Sequence, residues 1–216
     1  RSMLETITHD LPLGVALVLN VGDKEQFVSR ALHTAPDTSE AVTEHLLDGQ
    51  QRLTALYRAL RDNDDKYTYF LHVPELDDEP RNDDEEESVR VVKRWRDKND
   101  ARFPIWADSP RDCLYRGLIP VRLLDPTRDE TAEWVEHATA YLEPSEDVAD
   151  IVEYKRLLVE ATAFRDRLKK LIAERRETVR HFNLPYLRLP ATTTKDIALS
   201  VFVNMNTNAK PLSAYD

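Results

Sequence analysis

Residues 45–60 read HLLDGQQRLTALYRAL, and the point at which this run turns helical organises the chain around it. Leu53, Leu56, Tyr57 and Leu60 recur at i, i+3, i+4 and i+7, the spacing of one helix face. Asp48 is the expected helix start, because its carboxylate can accept from the free N–H groups of a first turn. Gln51, three residues on, is placed to bond back in a variant of the capping box. Gly49 leaves the backbone bare there, so another molecule could approach closely. Arg52 stands near the amino end, where the helix dipole favours anions and a guanidinium offers phosphate a bidentate partner. Two roles fit the run. One is a capped surface helix; the other is an anion site made of backbone donors, two amides and an arginine.

The rest of the sequence bounds the choice. A helix start with two glutamines and a glycine is poor for packing alone, which favours the anion site. Neither a G-x-x-x-x-G-K-[ST] run nor a G-x-G-x-x-G fingerprint occurs in a chain with four glycines, so nucleotide handling would need another route. Net charge is -10, which argues against coating nucleic acid through overall charge. Charge is nevertheless uneven: DDEPRNDDEEE (77–87) reads as a solvated acidic linker, whereas Lys155–Arg180 carries nine bases against four acids. That basic segment reads first as a helix face laced with i,i+4 ion pairs. A single cysteine, Cys113, excludes an internal disulfide framework, and no apolar run reaches membrane-spanning length. The cytoplasm is the expected compartment, with no membrane partner.

Along the chain, Val15–Leu19 reads as a buried strand and Lys24–Ala31 as a second, with HTAPDTSEAV as a loop. KYTYFLHV and SVRVVKRW read as hairpin partners across the acidic linker. Residues 101–128 hold four prolines and suggest irregular chain with one short strand. Helices are expected over Asp129–Tyr141 and from a cap at Ser145 or Asp147 to His181. A short strand, PYLRLP, then precedes a helix, TKDIALSVFVNM, whose apolar residues on all sides predict burial. Strands first and helices later make the class α+β, with a core over 1–128 and a helical region over 129–216 packed with it.

LLDGQQRLTAL (46–56) closely resembles the hallmark motif of the GmrSD-type restriction-enzyme N-terminal domain family, found in bacterial and phage-defence proteins. LPLGVALV (11–18) is similar to the family's Pro-hydrophobic-Gly stretch, and VFVNMNTNAKPLSAYD (201–216) to its closing Asn-Thr…Pro-Leu-Ser element. The resemblance runs from about Leu11 to the chain end. It implies a ParB/sulfiredoxin-like α+β core with an appended helical region, and nucleoside-triphosphate hydrolysis that regulates cleavage of modified or foreign DNA. Carried over by position, Asp48, Gly49, Gln50, Gln51 and Arg52 form the nucleotide motif, with Asn206, Thr207 and Lys210 as further nucleotide-binding candidates. Asp48, Gln51 and Arg52 are the catalytic candidates: Arg52 and a nucleotide-borne magnesium ion would meet transition-state charge, while Asp48 positions metal or water.

The chain departs from the family in lacking the upstream element with a Gln-Arg pair and in having Ala209 where glycine is common, so it reads as an excerpt. No His-Asn-His nuclease signature follows, so a DNA-cutting half is expected elsewhere, in a linked or partner nuclease, or is missing. Alternatives from other classes are a non-hydrolytic module that senses nucleotide or modified DNA, a ParB-like nuclease, and a homo-oligomerisation arm over 129–181. The six histidines lack metal-ligand spacing, so no protein metal site is expected. Cys113 reads as a buried thiol rather than a nucleophile, and Trp95, Trp106 and Trp134 as core or interface anchors.

Overall fold

The structure, a computed structural model, describes residues 2–9, 11, 13–22, 27–28, 30–32, 34–36, 40–77, 86–145 and 150–207. Its elements run α1 (Ser2–Thr8), β1 (Ala16–Asn20), β2 (Glu44–Asp48), α2 (Gln50–Arg61), β3 (Tyr67–Asp77), β4 (Ser88–Lys93), β5 (Trp95–Arg96) and β6 (Arg102–Phe103). They continue as α3 (Pro110–Tyr115), β7 (Arg116–Pro120), α4 (Thr131–Thr139), α5 (Ile151–His181), β8 (Tyr186–Leu189) and α6 (Lys195–Thr207). The class is α+β. Two compact units divide the chain: Arg1–Leu11 with Leu56–Phe182, and Pro12–Ala55 with Asn183–Asp216; residue 128 lies inside the first. Among the described residues, no helix is long and apolar enough to cross a membrane.

The first unit centres on an antiparallel sheet ordered β4-β3-β7. β3 is buried on both faces, Phe70 and His72 pointing one way and Leu71 and Val73 the other, as alternation along a covered strand requires. The expected hairpin forms, with Phe70 opposite Arg90 and His72 opposite Ser88. In the proline-rich stretch, Ser109 caps the short α3 by accepting from the Asp112 N–H at 3.3 Å, and β7 follows it directly. α5 is unbroken for 31 residues, about 46 Å. Asp150 caps it, accepting from the Val152 N–H at 2.8 Å; of the two caps expected, Ser145 lies before the helix and Asp147 outside the described residues.

Ala161, Leu168 and Ile172 form the buried stripe of α5, flanked by Phe164 and Leu171. Arg176 fastens this helix: its Nε and Nη2 donate to the Leu123 carbonyl at 3.1 and 3.0 Å, and Nη2 also reaches the Thr131 hydroxyl. Most other bases of the segment pair with acids, including Arg156 with Glu153 and Glu160, and Arg175 with Glu87.

The second unit holds a three-stranded sheet ordered β2-β1-β8, in which β1 pairs antiparallel with β2 and parallel with β8. Ala16, Leu17 and Leu19 are its buried residues on β1. Two expectations are corrected here. Of Lys24–Ala31, the described residues Phe27, Val28, Arg30 and Ala31 are not in a strand; both edges of β1 are already occupied by β2 and β8. The helix expected to be buried, α6, buries only Ala198 among its described residues, while Ile197 and Leu199 are 56% and 58% exposed. Its apolar residues encircle the helix, and only the stripe through Ala198, Val201, Phe202 and Met205 is covered.

Candidate functional site

The run that opens α2 is built differently from a capping box. β2 continues through Asp48, which pairs with Leu17, so Asp48 is the end of a strand and not the helix cap. The cap is Gly49. Its φ of +98°, a conformation that costs glycine least, turns the chain out of the strand, and its carbonyl accepts the first helical bond from the Leu53 N–H at 3.0 Å. The N–H groups of Gln50, Gln51 and Arg52 precede that bond and point from the helix start. Gln51 is exposed and its side chain makes no hydrogen bond among the described residues, so the reciprocal half of the expected box is absent too.

Arg52 brackets the turn. Its Nη1 donates to the Gly14 carbonyl at 2.5 Å, and its Nη2 to the Val15 carbonyl and to Asp48 Oδ2, each at 3.1 Å. The guanidinium thus ties the stretch entering β1 to the end of β2. Gly14 makes the approach possible: a Cβ there would lie 2.8 Å from Arg52 Nη1. Asp48 Oδ1 has no protein partner among the described residues, and both side chains are about one-third exposed, at 31%.

Beside the turn lies a cavity of about 750 Å³. Phe27, Leu32, Leu47, Leu53 and Phe202 make much of it apolar, while Gln50 and the charged Arg30 and Glu44 give it polar edges. Phe27 is held among rings and charge: its ring meets His45 edge-on at 6.0 Å, and the Lys195 ammonium lies 5.6 Å from its centroid. Glu44 is paired with Arg188 at 2.9 Å. Of the DGQQR run, Gln50 alone lines the cavity, and its side-chain amide donates to the Leu46 carbonyl at 3.2 Å.

The structure therefore brings Asp48, Gly49, Gln50 and Arg52 into one turn. It does not bring Asn206 and Thr207 to the cavity. Both bond back along α6, Asn206 Nδ2 to the Phe202 carbonyl at 2.9 Å and Thr207 Oγ1 to that of Val203 at 2.8 Å. Lys210 lies outside the described residues. Among those residues, no group of three or more His, Cys, Asp and Glu side chains is placed to hold a metal ion. Sequence reasoning misses the Gly14 and Val15 carbonyls as partners of Arg52, and it misses Phe27 and Phe202 as cavity walls. The one available signal was Gly14, a glycine with an ordinary φ in a chain that has few.

The family model described as GmrSD restriction endonuclease, N-terminal domain, matches residues 1–216. The chain belongs to this family. Membership places it among domains of restriction and phage-defence proteins. Neither the curated proteins nor the solved structures contain a match to the chain. In this GmrSD-type domain, the DGQQR run is thus a strand-to-helix turn held by its own arginine.

Proposed function

We propose that this GmrSD-type domain binds a nucleoside triphosphate and hydrolyses it to regulate DNA restriction. The observation that carries the proposal is the cavity of about 750 Å³ whose polar edge, Gln50, is the first residue of α2. Its apolar wall suits a base and ribose, within the usual size range of ligand pockets. The unpaired first-turn N–H groups and the Gln50 amide suit phosphate oxygens. Asp48 Oδ1 would hold a nucleotide-borne magnesium ion; one carboxylate fits, because magnesium at such sites keeps phosphate and water ligands. That ion supplies charge neutralisation on the phosphates when bound. Gln51, exposed at the same turn, would orient the attacking water, and Arg52 acts as a positioning residue that holds Asp48 and the turn.

Calorimetric titration with each triphosphate, beside a phosphate-release assay, tests this. Gln50→Ala should weaken binding roughly tenfold, the loss of one hydrogen bond to a charged group. Asp48→Asn should abolish release with binding retained. Wild-type affinity unchanged by Gln50→Ala would remove the site. Engagement of Arg52 by Gly14, Val15 and Asp48 favours a second reading, a sensing module that binds without hydrolysis; it predicts the titration signal with no release.

A further inference from the structure

We propose that the Trp95 hairpin of the first unit is a docking surface for single-stranded DNA. The hairpin is braced independently of any partner. Asp97 Oδ1 accepts from the Asn99 and Ala101 N–H groups at 2.8 and 2.9 Å, and Arg96 pairs with Asp100 at 3.1 Å. Trp95 lies opposite Phe103, their rings nearly parallel at 13° with centroids 6.0 Å apart. Phe103 supports one side of the indole, yet Trp95 remains 52% exposed. A second ring, Tyr67, is the cross-strand neighbour of Lys93, two residues before Trp95, and is 40% exposed.

Charge identifies the occupant. Residues 88–103 carry six bases and two acids in a chain of net charge -10, opposite to the balance of the whole. Arg94 and Arg102 are taken by Asp108 and Asp62, and Arg96 by Asp100. Lys66, Lys93 and Lys98 are exposed and have no ion-pair partner among the described residues. Ammonium groups interleaved with exposed rings match a polyanion whose bases are free to stack. In a duplex the base faces are covered by their neighbours, so the flat indole favours an unpaired strand. A protein partner would account for Trp95 but not for Lys93 and Lys98 on the same hairpin, or Lys66, whose carbonyl accepts from the Arg94 N–H, all three without an ion-pair partner among the described residues. The choice of DNA rests on the restriction assignment, and the proposal does not depend on triphosphate hydrolysis.

The experiment is fluorescence anisotropy of a labelled oligothymidylate with the full chain, in the absence of triphosphate, across a salt series. Wild type should bind at low salt, and Trp95→Ala should weaken binding roughly 5- to 150-fold, the range for one stacked base. Lys93→Gln with Lys98→Gln, at exposed positions that leave the fold intact, should reduce the log–log salt slope by about 1.4, two single-strand phosphate contacts. No binding by wild type, or variants that bind with wild-type affinity and slope, overturns the proposal. So does self-association in light scattering that Trp95→Ala abolishes without any oligonucleotide binding. A separate calorimetric titration with triphosphate keeps the two proposals apart, since either can fail alone.

Discussion

Gly14 and Arg52 should behave as one energetic unit, and a double-mutant cycle measures it. Arg52→Ala removes two charge-assisted bonds to backbone carbonyls and the contact with Asp48. Such bonds contribute about 1.5–3 kcal/mol each when dry. Arg52 is 31% exposed, so solvent takes up part of the loss and the expected cost is about 2 kcal/mol. Gly14→Ala places a Cβ 2.8 Å from Nη1, so the guanidinium tip must shift. The cost comes from the bonds to Gly14, Val15 and Asp48 that the shift breaks, and reaches about the same value in the native background where all of them are lost. With Arg52 already alanine there is nothing to expel, and Gly14→Ala should be neutral or gain about 0.4–1 kcal/mol from a stiffer unfolded chain. The coupling is therefore about 2 kcal/mol. All three tryptophans belong to the other unit, so their fluorescence does not report this event. Hydrogen exchange of the β1 and β2 amides does: each single variant should lose roughly 30-fold protection and the double variant no more than that. Additive losses, near 1,000-fold together on the order-of-magnitude scale of 1.4 kcal/mol per decade, would refute the bracket.

Other outcomes test the first unit. Burial pushes the Cys113 thiol up to about 12, and Cys113 Sγ lies 3.4 Å from the Trp106 carbonyl, so Ellman's reagent at pH 8 should leave it unmodified until urea unfolds the unit. Prompt native labelling would contradict this. Burial raises the Asp62 carboxyl above its ordinary 3.8, outweighing Arg102. The folded state thus holds this proton to higher pH than the unfolded chain, and the associated stability is complete below 3.8 and lost as pH rises through the folded value. Asp62→Asn, at a residue with φ of +47° that asparagine tolerates, should flatten that dependence and stabilise the neutral protein by up to about 1 kcal/mol in urea titrations. A variant less stable at pH 7 than at pH 4 by the wild-type margin would count against it. Arg176→Ala should cost about 2–3 kcal/mol, since it strips the Leu123 carbonyl and Thr131 of their partner; a loss below 0.5 kcal/mol would show the contact to be idle.

What could be read in the sequence was local. The β3–β4 hairpin, the long α5 and the short β8 stand out because β-branched runs, an uninterrupted helical pattern and flanking prolines are each signals within one segment. β2 is hidden because EHLLD has five residues and abuts a helical pattern that absorbs it. The same overlap shifts the start of α2: Asp48 and Gln51 have capping-box spacing, but Gly49 turns the chain at positive φ and gives Asp48 to the strand. α3 has six residues in a proline-rich stretch, too few for periodicity to register. At the site, the DGQQR run is legible as a motif, whereas the carbonyl partners of Arg52 lie 37 and 38 residues away, and no spacing rule reaches them.

The parallel pairing of β1 with β8 has a consequence for biogenesis. β1 and β2 leave the ribosome before their third strand, which begins about 140 residues after β2 ends. At 5–20 residues per second the wait is roughly 7 to 30 s. Throughout it, the Leu17–Leu19 edge offers unpaired amides and carbonyls to any neighbouring chain. A nascent polypeptide halted before Tyr186 would carry a two-stranded ribbon too small to persist alone, and this is the stage at which a chaperone has most to protect.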